Sequence, residues 1–203
     1  MGKPIVYTPE LQADYRRLID TAKIRPSHLA EVVALARRMA DGTHWPRYEA
    51  VATTVECPTH LVALIHAMES GLDFSCHLHN GDSLASRTVH VPKGRPTSGH
   101  PPFTWEESAV DALNGHALGE WDDWSREGLA YVLERYNGWG YRRYHPSVPS
   151  PYLWSYTTAY TAGKYASDGR FDPNLVSRQA GAMALLCGLA NVGKPYPGQE
   201  VKP

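Results

Sequence analysis

Two carboxylates, Glu69 and Asp82, lie in a segment whose residue types and spacing could support acid–base chemistry, "HAMESGLDFSCHLHNGD" at residues 66–82. Glu69 occupies the last turn of a predicted helix that Gly71 ends. Four apolar residues with helical spacing place it beside the core: Leu61, Leu64, Ile65 and Met68. The negative end of a helix dipole and partial burial both raise the pKa of a carboxylic acid, which suits proton donation near neutral pH. Glu69 is therefore a candidate general acid, and an exposed glutamate at a frayed helix end is the alternative.

Asp82 follows Glu69 by thirteen residues and is the candidate for the second catalytic group. The glycine of "HNGD" permits a tight turn back toward the helix end, which could bring Asp82 opposite Glu69. Two carboxyl groups about 6.5–9.5 Å apart leave room for an attacking water, as in inverting hydrolysis. Three alternatives stay open: Asp82 caps its own turn, Asp73 is the base, or Glu69 acts as acid and then as base.

A metal site is the competing interpretation of this region, because six side chains could act as ligands: His66, His77, His79, Asp82, His90 and His100. The motif "HLH" places two imidazoles on one side of an extended segment, as in a zinc peptidase. No HExxH-type signature completes the set, so we predict neither a metal nor another cofactor. The sequence also has no GxSxG elbow and no glycine-rich phosphate-binding motif.

Aromatic residues concentrate between positions 121 and 171, where thirteen of the 21 tyrosines, tryptophans and phenylalanines lie. Many stand beside Gly, Pro or Ser in stretches typical of loops, and such rings often line wet clefts. Flat CH faces and hydroxyl rims make sugars a suitable ligand for them. The predicted substrate-binding residues are Tyr136, Asn137, Tyr141, Tyr152, Trp154 and Tyr160. The alternative is that these rings pack the C-terminal half.

The hydrophobic pattern predicts a mainly α protein. Predicted helices cover 8–22, 25–42, 45–55, 57–71, 104–113, 121–137 and 172–193, with a partial helix in 151–166. Residues 72–103 break the helical pattern, and the alternation in "SRTVHVP" (86–92) is typical of a short strand. We therefore expect a polar insertion with a small hairpin after the fourth helix.

Composition excludes several classes of partner. The 203 residues suit one domain, and a net charge of −1 gives no basic excess for nucleic acid. No apolar run approaches the length of a membrane span, and the N-terminus shows no signal peptide. The cysteines, Cys57, Cys76 and Cys187, are predicted to be free buried thiols, with a Cys57–Cys76 disulfide as the alternative, and a monomer is expected.

Several motifs resemble those of goose-type lysozymes and soluble lytic transglycosylases. The first is "ES" at a helix end followed by "NGD", and "RYNGWGY" is similar to a cleft segment of that superfamily. Longer stretches resemble the bacterial and phage "lysozyme family" proteins: "HLHNGDSLASRTVHVPKGRP", "PPFTWEESAVDAL" and "SPYLWSYTTAYTAGKYASDGRFDP". The resemblance covers roughly residues 55–190.

This resemblance implies a single lysozyme-like domain over 1–203, with a small β-hairpin or loop insertion after the catalytic helix. It also implies cleavage of the β-1,4 bond between N-acetylmuramic acid and N-acetylglucosamine in peptidoglycan glycan strands. Glu69 matches the general acid, Asp82 an acidic residue that acts with the water, Tyr136 and Asn137 the cleft segment, and Tyr160 a transglycosylase tyrosine. The "GLMQ"-type segment of the family is absent, so the far side of the cleft is expected to be rebuilt.

Three other functions remain as alternatives. They are a lytic transglycosylase that forms 1,6-anhydromuramyl products, a non-catalytic glycan-binding module and a zinc peptidase. Without a signal peptide, the enzyme is expected to be made in the cytoplasm and to act on the cell wall or periplasm, as a phage endolysin released by a holin does.

Overall fold

The computed structural model describes residues 5–115, 118, 121–167 and 169–197, and these residues are mainly helical. The α-helices are α1 Pro9–Thr21, α2 Leu29–Met39, α3 Trp45–Val55, α4 Thr59–Ser70, α5 Trp105–Asn114, α6 Arg126–Asn137, α7 Gly140–Tyr144, α8 Pro151–Trp154 and α9 Ala182–Asn191. A 3₁₀ turn covers Pro26–His28. The strands β1 Lys164–Ser167 and β2 Arg170–Asp172 form one antiparallel pair. None of the helices in the described ranges is long and apolar enough to cross a membrane.

The chain divides into two compact units. One unit runs from Arg38 to Asp122, and the other combines the residues up to Arg37 with those from Asp123 onward. The expectation of a single domain over 1–203 stays a prediction.

In the 38–122 unit, α4 is the central helix. Eight consecutive residues, His60 to Ala67, are buried, and α3 packs against both α4 and α5. Thr104 and Glu107 form the predicted capping box at the start of α5. Gly71 ends α4 in the left-handed conformation, as predicted.

The insertion between α4 and α5 contains no regular strand, so the predicted strand over 86–92 is wrong. The N–H groups of Val89 and His90 donate to the carboxylate of Asp82 instead of to a neighbouring strand. A single antiparallel bridge joins Cys76 and Ser83. The hairpin of the fold lies elsewhere, between β1 and β2.

In the other unit, α1 packs on α6, α6 on α8, and α8 on α9. Three predicted helices are shorter than expected: α6 begins at Arg126 rather than at 121, α9 begins at Ala182 rather than at 172, and only Pro151–Trp154 of 151–166 is helical. Gly181, at the N-cap of α9, has an extended backbone, and its N–H donates to the Ser155 carbonyl at 3.0 Å instead of to a preceding helical turn. An added Cβ at this position would lie 2.5 Å from the Leu153 carbonyl oxygen.

All three cysteines are free thiols, as predicted, but each residue is only partly buried. Burial raises the pKa of the Cys57 thiol to about 12 and raises that of Cys187 as well. Both side chains therefore act as small apolar groups near neutral pH.

Candidate active site

Glu69 lies, partly buried, in the last turn of α4. The N–H groups of Gly71 and Leu72 both donate to the carbonyl of His66, and the Ser70 hydroxyl donates to the same oxygen at 3.2 Å. The helix end is thus closed by hydrogen bonds, which argues against a frayed end. The backbone that carries the Glu69 carboxylate is therefore held in place.

Gly81 makes the turn that the sequence predicts. Its φ is +80°, a conformation that favours glycine, and an added Cβ would lie 3.3 Å from the backbone carbonyl oxygen of Glu69. The "HNGD" turn therefore returns to the end of α4. Gly81, which belongs to the insertion, thus lies close to the backbone of the candidate acid, Glu69.

Behind this helix end, His66 is fully buried among aromatic rings. Its Nδ1 lies 2.8 Å from the Tyr48 hydroxyl oxygen, and its ring packs against Phe74 and Trp105. Burial lowers the pKa of His66 to about 4, so the imidazole is neutral near neutral pH. The apolar pattern of α4 predicts the buried face, but the sequence does not reveal that the aromatic partners converge on this histidine.

Asp82 is held by donors of its own loop. Its carboxylate accepts hydrogen bonds from Asn80 Nδ2 at 3.2 Å, Val89 N at 2.8 Å, His90 N at 3.0 Å and His90 Nδ1 at 2.6 Å. These bonds, first those of His90, hold the pKa of the Asp82 carboxyl far below its usual range. A carboxylate so stabilised is a weak base, so the geometry favours the turn-capping alternative.

The reserve candidate, Asp73, is in a similar position. Its Oδ1 accepts from the Ser75 N–H at 2.8 Å and from the Ser75 hydroxyl at 2.7 Å. These two hydrogen bonds lower the pKa of Asp73. Asp73 therefore shapes the turn that follows α4.

The histidines of "HLH" anchor the insertion to α5. His77 Nδ1 lies 2.8 Å from Ser108 Oγ, and its Nε2 lies 2.8 Å from the Ser86 carbonyl oxygen. His79 Nε2 lies 2.8 Å from the Asp111 carboxylate. Within the described ranges, no group of three or more His, Cys, Asp or Glu side chains is arranged to hold a metal ion.

The six predicted substrate-binding residues all belong to the other unit, and they do not share one environment. Trp154 and Tyr160 are buried, 1% and 3% exposed, and Tyr141 is also buried. The Tyr160 hydroxyl donates to backbone carbonyls of Gly163 and Leu175 within its own unit. These three side chains thus pack their unit, as the alternative interpretation holds.

The remaining three residues are more accessible. Tyr136 and Tyr152 are half-buried, and Asn137 is exposed at the last position of α6. They are the members of the predicted set that a glycan could reach in the conformation described.

Comparison with known proteins adds no assignment: no protein-family model, curated protein or solved structure matches the chain.

Proposed function

We propose that the chain is a glycosidase that cleaves the β-1,4 bond between N-acetylmuramic acid and N-acetylglucosamine in peptidoglycan, with Glu69 as the general acid. The observation that carries the proposal is the placement of Glu69, partly buried at the hydrogen-bonded end of a buried helix and against the Gly81 turn. The motifs that resemble goose-type lysozymes support the same residue independently of this geometry.

In the proposed reaction, Glu69 protonates the glycosidic oxygen as the bond to the anomeric carbon breaks. The His66, Phe74 and Trp105 rings behind this helix end keep its support apolar and rigid. That Tyr136, Asn137 and Tyr152 contact the sugar stays a prediction from the sequence. The other aromatic candidates support the fold of their unit.

The product depends on what attacks the anomeric carbon. In a hydrolase, Asp82 would position a water and the product would carry a reducing muramic acid. The four donors on the Asp82 carboxylate favour a second candidate, a lytic transglycosylase. There Glu69, after losing its proton, accepts the proton of the muramyl 6-hydroxyl, whose oxygen closes a 1,6-anhydro ring.

Mass spectrometry of digested peptidoglycan tests both the activity and the product. Disaccharide products with a reducing muramic acid support the hydrolase. Disaccharides whose mass is lower than that of the hydrolysis products by one water molecule support the transglycosylase. Intact glycan strands after prolonged digestion would contradict the glycosidase and leave a glycan-binding module. Cleaved stem peptides with intact strands would indicate a peptidase.

We further propose that the protein acts at the cell wall after release from the cytoplasm, as a holin-dependent phage endolysin does, and works as a monomer. Lysis of cells from within only when a holin is co-expressed is the expected result.

A further inference from the structure

A short stretch of the insertion, "VHVPK" at residues 89–93, is exposed throughout, and we call it the exposed tip. Val89 is 61% exposed and Val91 is 88% exposed, the highest value among the large apolar side chains that the structure describes. Apolar side chains this accessible lower the free energy of a complex when a partner covers them. The exposed tip therefore has the character of a contact surface rather than of a folded support.

The exposed tip belongs to a segment with an excess of positive charge. Residues 83–105 contain Arg87, Lys93 and Arg95 but no Asp or Glu. Arg95 is paired with Asp111 at 2.8 Å, and the Arg87 guanidinium donates to a backbone carbonyl at 2.8 Å. Lys93, by contrast, is exposed and has no carboxylate partner within the described ranges. The exposed tip thus offers an ammonium group, beside two valines, to an anionic partner.

Hydrogen bonds close the base of the exposed tip. Thr88, 2% exposed, donates its N–H to the Arg95 carbonyl at 2.8 Å, and its Oγ1 accepts from the Arg95 N–H at 2.9 Å. The exposed side chains therefore stand on an ordered backbone. A partner that binds them does not have to order the loop first, which lowers the entropic cost of binding.

The exposed tip lies near the candidate acid within one unit. The N–H groups of Val89 and His90 donate to the Asp82 carboxylate. Gly81, the residue before Asp82, lies close to the backbone carbonyl of Glu69. Few contacts thus join the exposed tip to Glu69, so a polymer cleaved at Glu69 can reach the exposed tip with a neighbouring group.

We propose that the exposed tip binds the stem peptide of peptidoglycan, an inference that rests on the proposed function. The stem peptide is attached to muramic acid, one of the two sugars at the bond to be cleaved. It carries free carboxylates, which suit Lys93, and alanine methyl groups, which suit Val89 and Val91. An anionic membrane surface has the same charge, but two valines offer far less apolar area than the helix face with which proteins bind in a membrane interface.

Ligand-observed NMR on the full chain tests this binding without requiring catalysis. The probes are N-acetylmuramyl-L-Ala-D-Glu and the same compound with both glutamate carboxylates amidated. The acidic compound is expected to bind saturably. Amidation is expected to weaken binding by about 2- to 5-fold, because it removes the charge that faces an exposed ammonium group.

Two variants localise the binding to the exposed tip. Lys93→Glu is expected to reverse the preference, so that the amidated compound binds more tightly than the acidic one. Val91→Ser is expected to weaken the binding of both compounds by about 2- to 10-fold. Lys23→Glu and Val6→Ser change exposed residues of the other unit, are the matched controls and should leave binding unchanged.

A kinetic test uses wall glycan before and after an amidase has removed the stem peptides. The wild type is expected to have the lower KM on the glycan that keeps its peptides, with a similar kcat on both, because the added contact is made in the ground state and in the transition state alike. This difference in KM should shrink in Lys93→Glu and persist in Lys23→Glu.

Equal binding of the acidic and the amidated compound, or binding that neither variant of the exposed tip changes, would overturn the inference. Binding to vesicles of anionic lipid that depends on Lys93, without binding of the muramyl peptide, would also overturn it and indicate a membrane partner. Binding of the acidic compound at the exposed tip while both glycans stay intact would contradict the proposed function alone. Cleavage of both glycans with the same KM, in the wild type and in Lys93→Glu, would contradict this inference alone.

Discussion

Glu69 combines two properties that a proton donor needs. Its side chain is partly buried. Its backbone is fixed, because N–H groups at the end of α4 donate to the His66 carbonyl and because Gly81 lies close to the Glu69 carbonyl. A fixed donor stays aligned with the glycosidic oxygen and does not have to be ordered during the reaction.

Glu69→Gln is therefore expected to abolish wall lysis while the fold remains intact. Glutamine has nearly the same shape but no acidic proton, and loss of acid catalysis costs about 10²–10⁴-fold in rate. Turbidity of a cell-wall suspension measures the rate, and circular dichroism measures the melting temperature. Glu56→Gln, an exposed glutamate after α3, is the control and should keep the wild-type rate. A folded Glu69→Gln protein with near wild-type activity would remove Glu69 from the reaction.

Asp82, thirteen positions after Glu69, also carries a carboxylate, but this carboxylate is engaged by its own loop. Its carboxylate accepts hydrogen bonds from the N–H groups of Val89 and His90, which have no strand partner in this loop. The sequence motif alone could not separate this role from catalysis, because both need an aspartate after a tight glycine turn.

Asp82→Asn is expected to cost stability and to leave the rate per folded molecule nearly unchanged. By analogy with helix caps, the loss in unfolding free energy should be about 0.5–2 kcal/mol at neutral pH. The folded-state pKa of Asp82 is lowered, so its contribution is present above the unfolded-state value of about 3.9 and is lost as pH falls below it.

Urea unfolding of wild type and Asp82→Asn at several pH values measures this effect. The difference between the two proteins should shrink as the pH falls below about 4, where the unfolded-state carboxyl takes up its proton. A variant of normal stability that has lost its rate would instead restore Asp82 as the base.

At the scale of the elements, helix ends were predictable where their signals are local. Thr8 caps α1, Thr104 and Glu107 cap α5, and Gly71 ends α4, each through contacts within a few residues. The position of Glu69 in the last turn of α4 is predictable for the same reason, because the helix and Gly71, which ends it, are contiguous in sequence.

The errors arose where distant residues decide the backbone. Alternating residues in 86–92 indicate a strand, but the Asp82 carboxylate takes the N–H groups that a strand would need. The apolar residues Leu175 and Val176 extend the apparent pattern of α9, yet both are exposed, and the Gly181 N–H donates to the Ser155 carbonyl instead of to a preceding helical turn. The partner of neither contact is visible from a local pattern.

The Gly81 turn, which lies close to the Glu69 backbone, leads to a prediction at the scale of the elements. Gly81→Ala and Gly94→Ala both place a side chain at positive φ, +80° and +79°, so each should lose about 1–2 kcal/mol of unfolding free energy. Only the Cβ at position 81 meets the Glu69 carbonyl, since position 94 has open space around it. Wall lysis per folded molecule should therefore fall in Gly81→Ala and remain normal in Gly94→Ala. Equal activity in both would show that the turn does not support the acid.

At the scale of the whole molecule, the proposed reaction uses only side chains of the protein and needs no metal ion. We predict that chelators leave lysis unchanged and that the purified protein contains no stoichiometric metal. The physical reason is that His77 and His79 are engaged with Ser108, Ser86 and Asp111, all of them groups of the protein. Zinc in equal proportion to protein, with activity lost on its removal, would restore the peptidase.

The hydrogen bonds from the Val89 and His90 N–H groups to the Asp82 carboxylate should also affect hydrogen exchange. Val89 is 61% exposed and lies in an irregular segment, where amide protons usually exchange with solvent within moments. Because its N–H and that of His90 are bound to a carboxylate, both amides should exchange slowly, as those of a strand do. Protection of these two amides should disappear in Asp82→Asn, while the amides of α4 stay protected. This outcome would mean that the loop around Val89 and His90 opens independently of α4 and is held closed by the Asp82 carboxylate.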